Sequence, residues 1–167
     1  WAVLIGIDAY PSNLLHGAVS DALSMRGFLV NDLGIPERCI QCLLGPHDST
    51  PGDPSAPSRM NIINMLHSLI SNEEIQRGDN IIIYYAGHGS CYNCSDHFST
   101  AESRHGKDLC SIEALCPIDC DSIDANGLPI PDISDRELNV LFSQISHVKG
   151  HKITFIVDCC HMRSFDR

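Results

Sequence analysis

Short apolar runs alternate along the chain with longer amphipathic segments, and this order predicts strands that alternate with helices. The apolar runs are rich in β-branched residues and lie at residues 1–7, 39–44, 80–86 and 153–158. They are largely continuous rather than alternating, which is typical of strands buried on both faces of a parallel sheet. We therefore predict an α/β fold, a three-layer α/β/α sandwich with a mostly parallel sheet.

Three of the segments between these runs have apolar residues at helical spacing. The first begins near Gly17 and stops at Gly34, because a glycine with Pro36 just beyond it ends a helix. The second follows Ser58, whose hydroxyl can accept a hydrogen bond from a free N–H in the first helical turn. The third opens on Ser134-Asp-Arg-Glu137, which has the spacing of a capping box. Each helix thus lies between two predicted strands.

The remaining segments are predicted to be irregular. Residues 45–57 hold four prolines and two glycines, a density that no helix or strand tolerates. Residues 90–111 are polar, rich in Cys, Ser and His, and lack any apolar period, so they predict a Cys-rich insertion loop. The pair Asn126-Gly127 is typical of a tight turn. The chain has the length of one domain, so we expect a single domain over residues 1–167.

Acidic side chains outnumber basic ones by 21 to 11, which gives a net charge of −10. This balance argues against nucleic acid or an anionic membrane as a partner and favours cationic partners. No apolar run approaches the ~20 residues that span a bilayer. The nine cysteines are an odd number at irregular spacings and no signal peptide is recognisable, so we expect a reducing compartment, the cytoplasm.

Two reactive side chains each follow a predicted strand: His88 follows residues 80–86, and Cys160 follows residues 153–158. Ligands bind at the carboxyl ends of parallel strands, so the two side chains can meet there. A free thiol is mostly protonated at neutral pH, and a neighbouring imidazole can take its proton. The backbone amides of Gly89 and Cys160 can then stabilise an oxyanion. Taken singly, His88 also suits a turn and Cys160 a small buried hydrophobe, but together they predict a Cys-His nucleophile pair.

Four motifs of the chain follow one another in a set order. They are Trp1-Ala-Val-Leu-Ile-Gly-Ile-Asp8, Leu15-His-Gly-Ala-Val-Ser-Asp-Ala22, Tyr84-Tyr-Ala-Gly-His-Gly89 and Asp158-Cys-Cys-His161. Together they resemble the motifs of the caspase-like cysteine peptidases, most closely the metacaspases of fungi, plants and protists, with the fungal type expected. The resemblance implies a caspase-like fold and a cysteine endopeptidase that acts in proteolysis and programmed cell death. It also implies that Cys160 is the nucleophile, that His88 is its base and that Cys159 has no catalytic role.

Metacaspases cleave after Arg or Lys, and the resemblance places Asp21 and Asp158 at the positions of acidic residues in the specificity pocket. A guanidinium between two carboxylates is strongly favoured over a neutral or anionic side chain. The simpler alternative is that Asp21 faces solvent on its helix and that Asp158 caps a turn. The expected substrates are therefore proteins or peptides with basic residues.

The chain departs from the family pattern after the nucleophile. Family members commonly continue as Cys-His-Ser-Gly, whereas this chain reads Cys160-His-Met-Arg-Ser164. In the family, strands of the small subunit follow this motif and complete the sheet and the substrate cleft, and we expect residues 1–167 to lack them. We therefore expect the large-subunit region alone, with the small-subunit segment as its partner. The alternative is a catalytically inactive caspase-like module that regulates or binds other proteins.

Two groups of side chains have ligand types that suit metal ions. A zinc site on the insertion would combine Cys91, Cys94, Cys116 and Cys120 with His97 or His105. A calcium site would use Asp119, Asp121, Asp124, Asp132, Asp135 and Glu137, and many metacaspases are activated by calcium through such acidic loops. The cysteine spacing is poor for zinc and the acidic stretch lacks the EF-hand spacing, so loop thiols and solvated turns are the preferred alternatives. We expect no required cofactor, with Ca²⁺ as a candidate activator.

Overall fold

The computed structural model describes residues 1–50, 52–93, 111–120 and 122–159. Its strands are β1 (Ala2–Ile7), β2 (Ile40–Gly45), β3 (Ile81–Ala86), β4 (Gly89–Asn93), β5 (Ser111–Leu115), β6 (Ile133–Ser134) and β7 (Ile153–Asp158). Its helices are α1 (Ala18–Asn31), α2 (Arg59–Ser71) and α3 (Asp135–Lys149), with a short 3₁₀ turn at Glu37–Cys39. The four strands and three helices predicted from the apolar pattern all lie within a few residues of their predicted positions.

Four of these strands form one parallel sheet in the order β2-β1-β3-β7. Strand β1 pairs with β2 on one side and with β3 on the other, and β3 also pairs with β7. Because the four strands run in the same direction, their carboxyl ends lie at one edge of the sheet. The prediction of a mostly parallel sheet is confirmed.

Helices bury this sheet on both faces. Along β1, Val3, Ile5 and Ile7 share a core with apolar side chains of α2 and α3. Ala2 and Leu4 point the other way and pack with α1. All five side chains are at most 1% exposed, as a continuous apolar run predicts. The three-layer α/β/α arrangement is therefore confirmed.

The predicted caps begin two of the helices. Ser58 Oγ accepts from the N–H of Asn61 at 3.3 Å, at the start of α2. Ser134 Oγ accepts from the N–H of Glu137 at 3.2 Å, at the start of α3. The Glu137 carboxylate is bound by Arg59, whose Nη2 lies 2.7 Å from both carboxylate oxygens. Because Arg59 is the first residue of α2, this ion pair joins the N-termini of the two helices.

A second, antiparallel sheet corrects the predicted limits of the insertion loop. Strand β4 pairs with β5, with Ser90 opposite Ala114, and β5 pairs with β6. The prediction of a loop over residues 90–111 is therefore wrong at both ends, while residues 94–110 lie outside the described part of the chain. Polar side chains such as that of Ser90 hide β4 in the sequence, since an antiparallel strand needs only one apolar face, and β5 is only five residues long.

Gly6 lies where α1 packs directly against β1. A Cβ atom there would lie 2.6 Å from the carbonyl oxygen of Ala18 and 2.8 Å from the Cβ of Ala22. We predict that Gly6→Ala lowers the free energy of unfolding by about 1–3 kcal/mol, because the helix backbone must move away from the sheet.

The matched control for this substitution is Gly27→Ala, within α1. Its new methyl group would meet no atom closer than 3.9 Å, so the better helix propensity of alanine should raise the free energy of unfolding by about 0.5–1 kcal/mol. Urea unfolding of both variants measures the difference. Two effects of the same sign would contradict the close packing at Gly6.

Candidate active site

The pairing of β3 with β7 brings two predicted site positions to the same edge of the sheet. Ala86 lies opposite Asp158 in the register, and the N–H of Gly87 is 3.4 Å from the carbonyl oxygen of Asp158. His88 and Cys160 each follow the last residue of their strand by two positions. Neighbouring strands are about 4.8 Å apart, so the strand that carries His88 and the strand that leads to Cys160 end side by side. Cys160 itself lies outside the described residues.

The His88 imidazole is buried and has a defined tautomer. Its Nε2 lies 2.7 Å from the backbone carbonyl oxygen of Asn13. A carbonyl can only accept, so Nε2 carries the proton and the lone pair of the neutral ring is on Nδ1. Nδ1 is buried and has no hydrogen-bond partner among the residues that the structure describes. The ring is thus oriented through one nitrogen, and the other nitrogen can accept a proton.

The backbone of His88 is held by two tyrosine hydroxyls that the sequence motifs did not single out for a role. Its N–H donates to the Tyr10 hydroxyl at 3.0 Å, and its carbonyl accepts from the Tyr85 hydroxyl at 2.7 Å. Both tyrosines are at most 2% exposed. Tyr10 follows β1 closely, and a polar aromatic residue at the carboxyl end of a central strand is the signal that could have identified it.

The loop between β1 and α1, which carries Asn13, is fixed by Asp8. The carboxylate of Asp8 accepts from the N–H groups of Gly17 at 3.1 Å and of Ala18 at 2.9 Å. A carboxylate at a helix N-terminus satisfies free N–H groups and interacts favourably with the helix dipole. This contact therefore supports the loop whose carbonyl orients the imidazole.

Gly89 is buried at the start of β4 and lines a cavity of about 160 Å³. Leu138, Phe155 and Cys159 line the same cavity, so its walls are largely apolar. Phe155 and Cys159 also pack against the core that lies between the sheet and α2 and α3. The edge of the sheet that carries His88 therefore adjoins an apolar depression.

The two predicted pocket carboxylates lie within electrostatic reach of one tyrosine hydroxyl. The hydroxyl of Tyr84, a residue that is 5% exposed, donates to Asp158 Oδ2 at 3.0 Å. Burial raises the pKa of Tyr84, and the hydrogen bond to Asp158 and the negative charges of Asp158 and Asp21 raise it further. Asp21 is itself exposed in the first turn of α1. The structure thus brings Asp21 and Asp158 to the same side of the sheet.

The sequence profile of the family described as metacaspase, peptidase C14 domain, matches residues 1–165. The chain belongs to the metacaspase family. It is 30% identical over 161 residues to metacaspase-3 of Arabidopsis thaliana and 28% identical over 162 residues to metacaspase-9 of the same plant. Each alignment covers 96% of the chain, but only 39% and 42% of the respective relatives. The chain therefore spans about two fifths of the length of these metacaspases.

A solved structure has a similar fold. The crystal structure of protein GSU0716 from Geobacter sulfurreducens superposes with a TM-score of 0.64 and 18% sequence identity. The similarity covers 98% of this chain and 51% of the bacterial chain. At that identity the likeness shows the fold alone, and it agrees with the parallel sheet between helical layers.

The predicted zinc site finds little support in the described part of this metacaspase chain. Cys94, His97 and His105 lie outside that part, and the rest holds no group of three or more side chains placed to bind one metal ion. A hydrogen bond with Cys120 and burial both raise the pKa of the Cys116 thiol. Without a metal this thiol therefore stays protonated at neutral pH, and a zinc ion would have to displace its proton on binding. The zinc site stays a prediction.

The acidic residues of the predicted calcium site make separate local contacts. Asp119 Oδ1 accepts from the N–H of Arg59 at 2.8 Å, at the start of α2. Asp124 closes a turn by accepting from two N–H groups that follow it, and Glu137 is bound by Arg59. Asp121 lies outside the described residues. Calcium activation therefore stays a prediction.

Asp132, another member of this acidic set, directly precedes β6 and binds two side chains of β4 next to the site. Its Oδ2 accepts from Ser90 Oγ at 2.6 Å and from the Tyr92 hydroxyl, and Cys116 Sγ lies 3.7 Å away. Burial and the hydrogen bond to Asp132 raise the pKa of Tyr92 to about 12, so its hydroxyl remains a donor at neutral pH.

We predict that Asp132→Ala lowers the free energy of unfolding by roughly 2–4 kcal/mol, because two hydroxyl donors lose one shared acceptor. The control Ser90→Ala removes only one of those donors and should cost about 1 kcal/mol. Denaturant unfolding of both variants and of the double variant measures their coupling. Equal costs for the two single variants would contradict a central role for Asp132.

Proposed function

We propose that the chain carries the catalytic pair of a cysteine endopeptidase, with Cys160 as the nucleophile and His88 as the general base. The main support is the buried Nδ1 of His88, which has no partner among the described residues while Nε2 is held by a carbonyl. This histidine lies beside the end of β7, which leads to Cys160. An imidazole with an available lone pair beside a cysteine is the arrangement that activates a thiol.

In the proposed reaction, Nδ1 of His88 takes the proton of the Cys160 thiol, and the thiolate attacks the carbonyl carbon of the scissile peptide bond. The oxyanion that forms accepts hydrogen bonds from the backbone amides of Gly89 and Cys160. As the C–N bond breaks, the imidazolium gives its proton to the leaving amine, and an acyl-enzyme remains. The same nitrogen then takes a proton from water, whose oxygen attacks the thioester carbon. The C–S bond breaks, the acid leaves, and the imidazolium returns its proton to the Cys160 thiolate.

The Asn13 carbonyl takes the part of the third member of a catalytic triad in this proposal. Its oxygen accepts the hydrogen bond of Nε2–H, which becomes stronger when the ring is positively charged. It thereby fixes the tautomer of the His88 ring and stabilises the imidazolium. The carboxylate of a Ser-His-Asp triad has the same two functions. Because the acceptor belongs to the backbone, the identity of the side chain at Asn13 matters little.

We infer that Asp21 and Asp158 bind the substrate side chain. Both carboxylates act on the Tyr84 hydroxyl, which supports their lying close enough to share one cation. A Lys or Arg side chain would form charge-assisted hydrogen bonds there, whereas a substrate carboxylate would meet like charges. The net charge of −10 also favours cationic partners. The proposed cleavage is therefore after Arg or Lys in proteins or peptides.

We further propose that a small-subunit segment completes the sheet beside β7. In the described part of the chain β7 pairs with β3, and its residues Ile156 and Val157 are 36% and 44% exposed. Apolar side chains on such a strand are typical of a surface that pairs with another strand. More than half of each plant relative lies outside the matched region, which agrees with additional segments in these proteins.

Location and calcium dependence belong to the same proposal. No helix in the described ranges is long and apolar enough to cross a membrane. We propose a cytoplasmic protein on the cysteine content of the sequence. Calcium would act as an activator rather than in the chemical step, and comparison of rates with added Ca²⁺ and with a chelator tests this.

We predict that Cys160→Ala and His88→Ala each lower peptide hydrolysis by the full-length protein roughly 10³-fold or more, because nucleophile and base act as a unit. Cys159→Ala is the matched control and should keep most of the rate. The assay uses an Arg-containing peptide. Equal losses at the two cysteines would contradict the assignment, and a folded full-length protein that hydrolyses no peptide would favour the inactive regulatory module.

For specificity, we predict that Asp21→Asn lowers kcat/KM for cleavage after Arg on the order of 30-fold or more, because one partner of the cation is lost. Asp32→Asn, at the C-terminal end of the same helix, is the control and should change little. Thermal unfolding should be similar in both variants. A positional peptide library that shows cleavage after Asp would overturn the assignment to basic substrates.

A further inference from the structure

Tyr10 lies on the loop between β1 and α1, outside the four sequence motifs, and is buried beside the His88 ring. We propose that Tyr10 is a positioning residue that fixes both the ring and the backbone of His88 for proton transfer. The proposal rests on the proposed function, because only the reaction gives the orientation of His88 a purpose.

The aromatic ring of Tyr10 packs directly on the imidazole. The two ring centroids are 4.4 Å apart, and the ring planes are inclined by 49°. The Asn13 carbonyl holds the same imidazole at Nε2. A hydrogen bond at one ring atom and a packed neighbour against the ring leave the imidazole little freedom to rotate.

The hydroxyl of Tyr10 acts on the backbone instead. It accepts from the N–H of His88, and it lies 2.9 Å from the carbonyl oxygen of Cys116 and 3.2 Å from the Tyr85 hydroxyl. Tyr85 Oη lies 2.7 Å from the carbonyl oxygen of His88 and 2.8 Å from that of Cys116. Each hydroxyl has one proton to give, so the shortest contacts assign the proton of Tyr10 to Cys116 and that of Tyr85 to His88.

The network is closed by the N–H of Cys116, which donates to the His88 carbonyl at 3.0 Å. Both backbone polar groups of His88 are therefore satisfied inside the core, and so are both tyrosine hydroxyls. A buried polar group that loses its partner carries a desolvation penalty, so each member of the network resists displacement of the others. The position of His88 is thus set by Tyr10 from one side and by Tyr85 from the other.

Gly87 shows how little room there is for adjustment. A Cβ atom at this residue would lie 2.5 Å from Tyr10 Oη and 2.7 Å from Tyr85 Oη. The backbone directly before His88 therefore rests on both hydroxyls. Burial raises the pKa of Tyr10, so the hydroxyl stays protonated at neutral pH and acts through hydrogen bonds rather than through charge.

Two substitutions separate the hydroxyl from the ring. Tyr10→Phe removes only the hydroxyl, whereas Tyr10→Leu removes the ring as well. In the full-length protein we expect kcat to fall about 10-fold in Tyr10→Phe and about 100-fold in Tyr10→Leu, with KM within about twofold, because small misplacements of a reacting group have effects of that size. Tyr92→Phe is the matched control, since it removes a hydroxyl that is bound to Asp132 instead, and it should keep kcat.

Nitrogen-15 NMR of histidine-labelled protein gives a second readout that does not need turnover. The wild-type His88 ring should show the Nε2–H tautomer alone, and the ring signals should move toward a tautomer mixture in Tyr10→Phe and further in Tyr10→Leu. Tyr92→Phe should leave them in place. If Tyr10→Leu does not fold, Tyr10→Phe and its control decide the question.

Lower kcat together with shifted ring signals in the Tyr10 variants supports the proposal. Unchanged ring signals in both Tyr10 variants would overturn it, whether or not kcat falls, because Tyr10 would then act only through general stability. A wild-type protein that hydrolyses no peptide would reject the proposed function instead. In that case the ring signals alone would still decide whether Tyr10 positions His88.

Discussion

Parallel pairing of β3 with β7 is the constraint on which the candidate site depends. The register sets Ala86 opposite Asp158, and the adjacent tyrosines of β3 then point to opposite faces of the sheet. Tyr85 faces the core below His88, whereas Tyr84 faces Asp158 on the α1 side. A shift of one residue would exchange these two faces and separate each tyrosine from its partner. One strand register thus organises both the proposed catalytic half and the proposed specificity half of the site.

The fold was predictable because its signals are local. Continuous apolar runs identified the four parallel strands, and Ser58 and Ser134 marked helix starts that the structure confirms. Strand β4 escaped prediction because its side chains are largely polar, and β5 because its buried residues Ile112, Ala114 and Leu115 belong to a strand of only five residues. Periodicity records burial, so it cannot detect a strand that has little apolar surface to bury.

The candidate site was predictable only in part. The motif positions of His88 and Asp158 are visible in the sequence, but the contacts that orient them join residues far apart in the chain. The Tyr10 hydroxyl contacts the hydroxyl of Tyr85, which is 75 positions away in the sequence, and the carbonyl oxygen of Cys116, which is 106 positions away. The carboxylates of the acidic stretch illustrate the opposite problem. Their residue type suggested a cation site, whereas the carboxylate of Asp132 accepts hydrogen bonds from two hydroxyl groups. The residue type indicates which hydrogen bonds and charges a side chain can contribute. Only the folded structure shows which partner it contacts.

Tyr10 and Tyr85 belong to the main hydrophobic core as well as to the hydrogen bonds around His88. The amide hydrogen of His88 is therefore buried under groups that move only when the core opens, and its exchange with solvent should be as slow as that of a central strand. In the wild-type chain, opening of these backbone hydrogen bonds therefore requires the core around Tyr10 and Tyr85 to open as well. A substitution elsewhere that lowers core stability would consequently reduce the fraction of competent molecules, each with an intact histidine, whereas a substitution within the hydrogen bonds around His88 alters the site in the folded state.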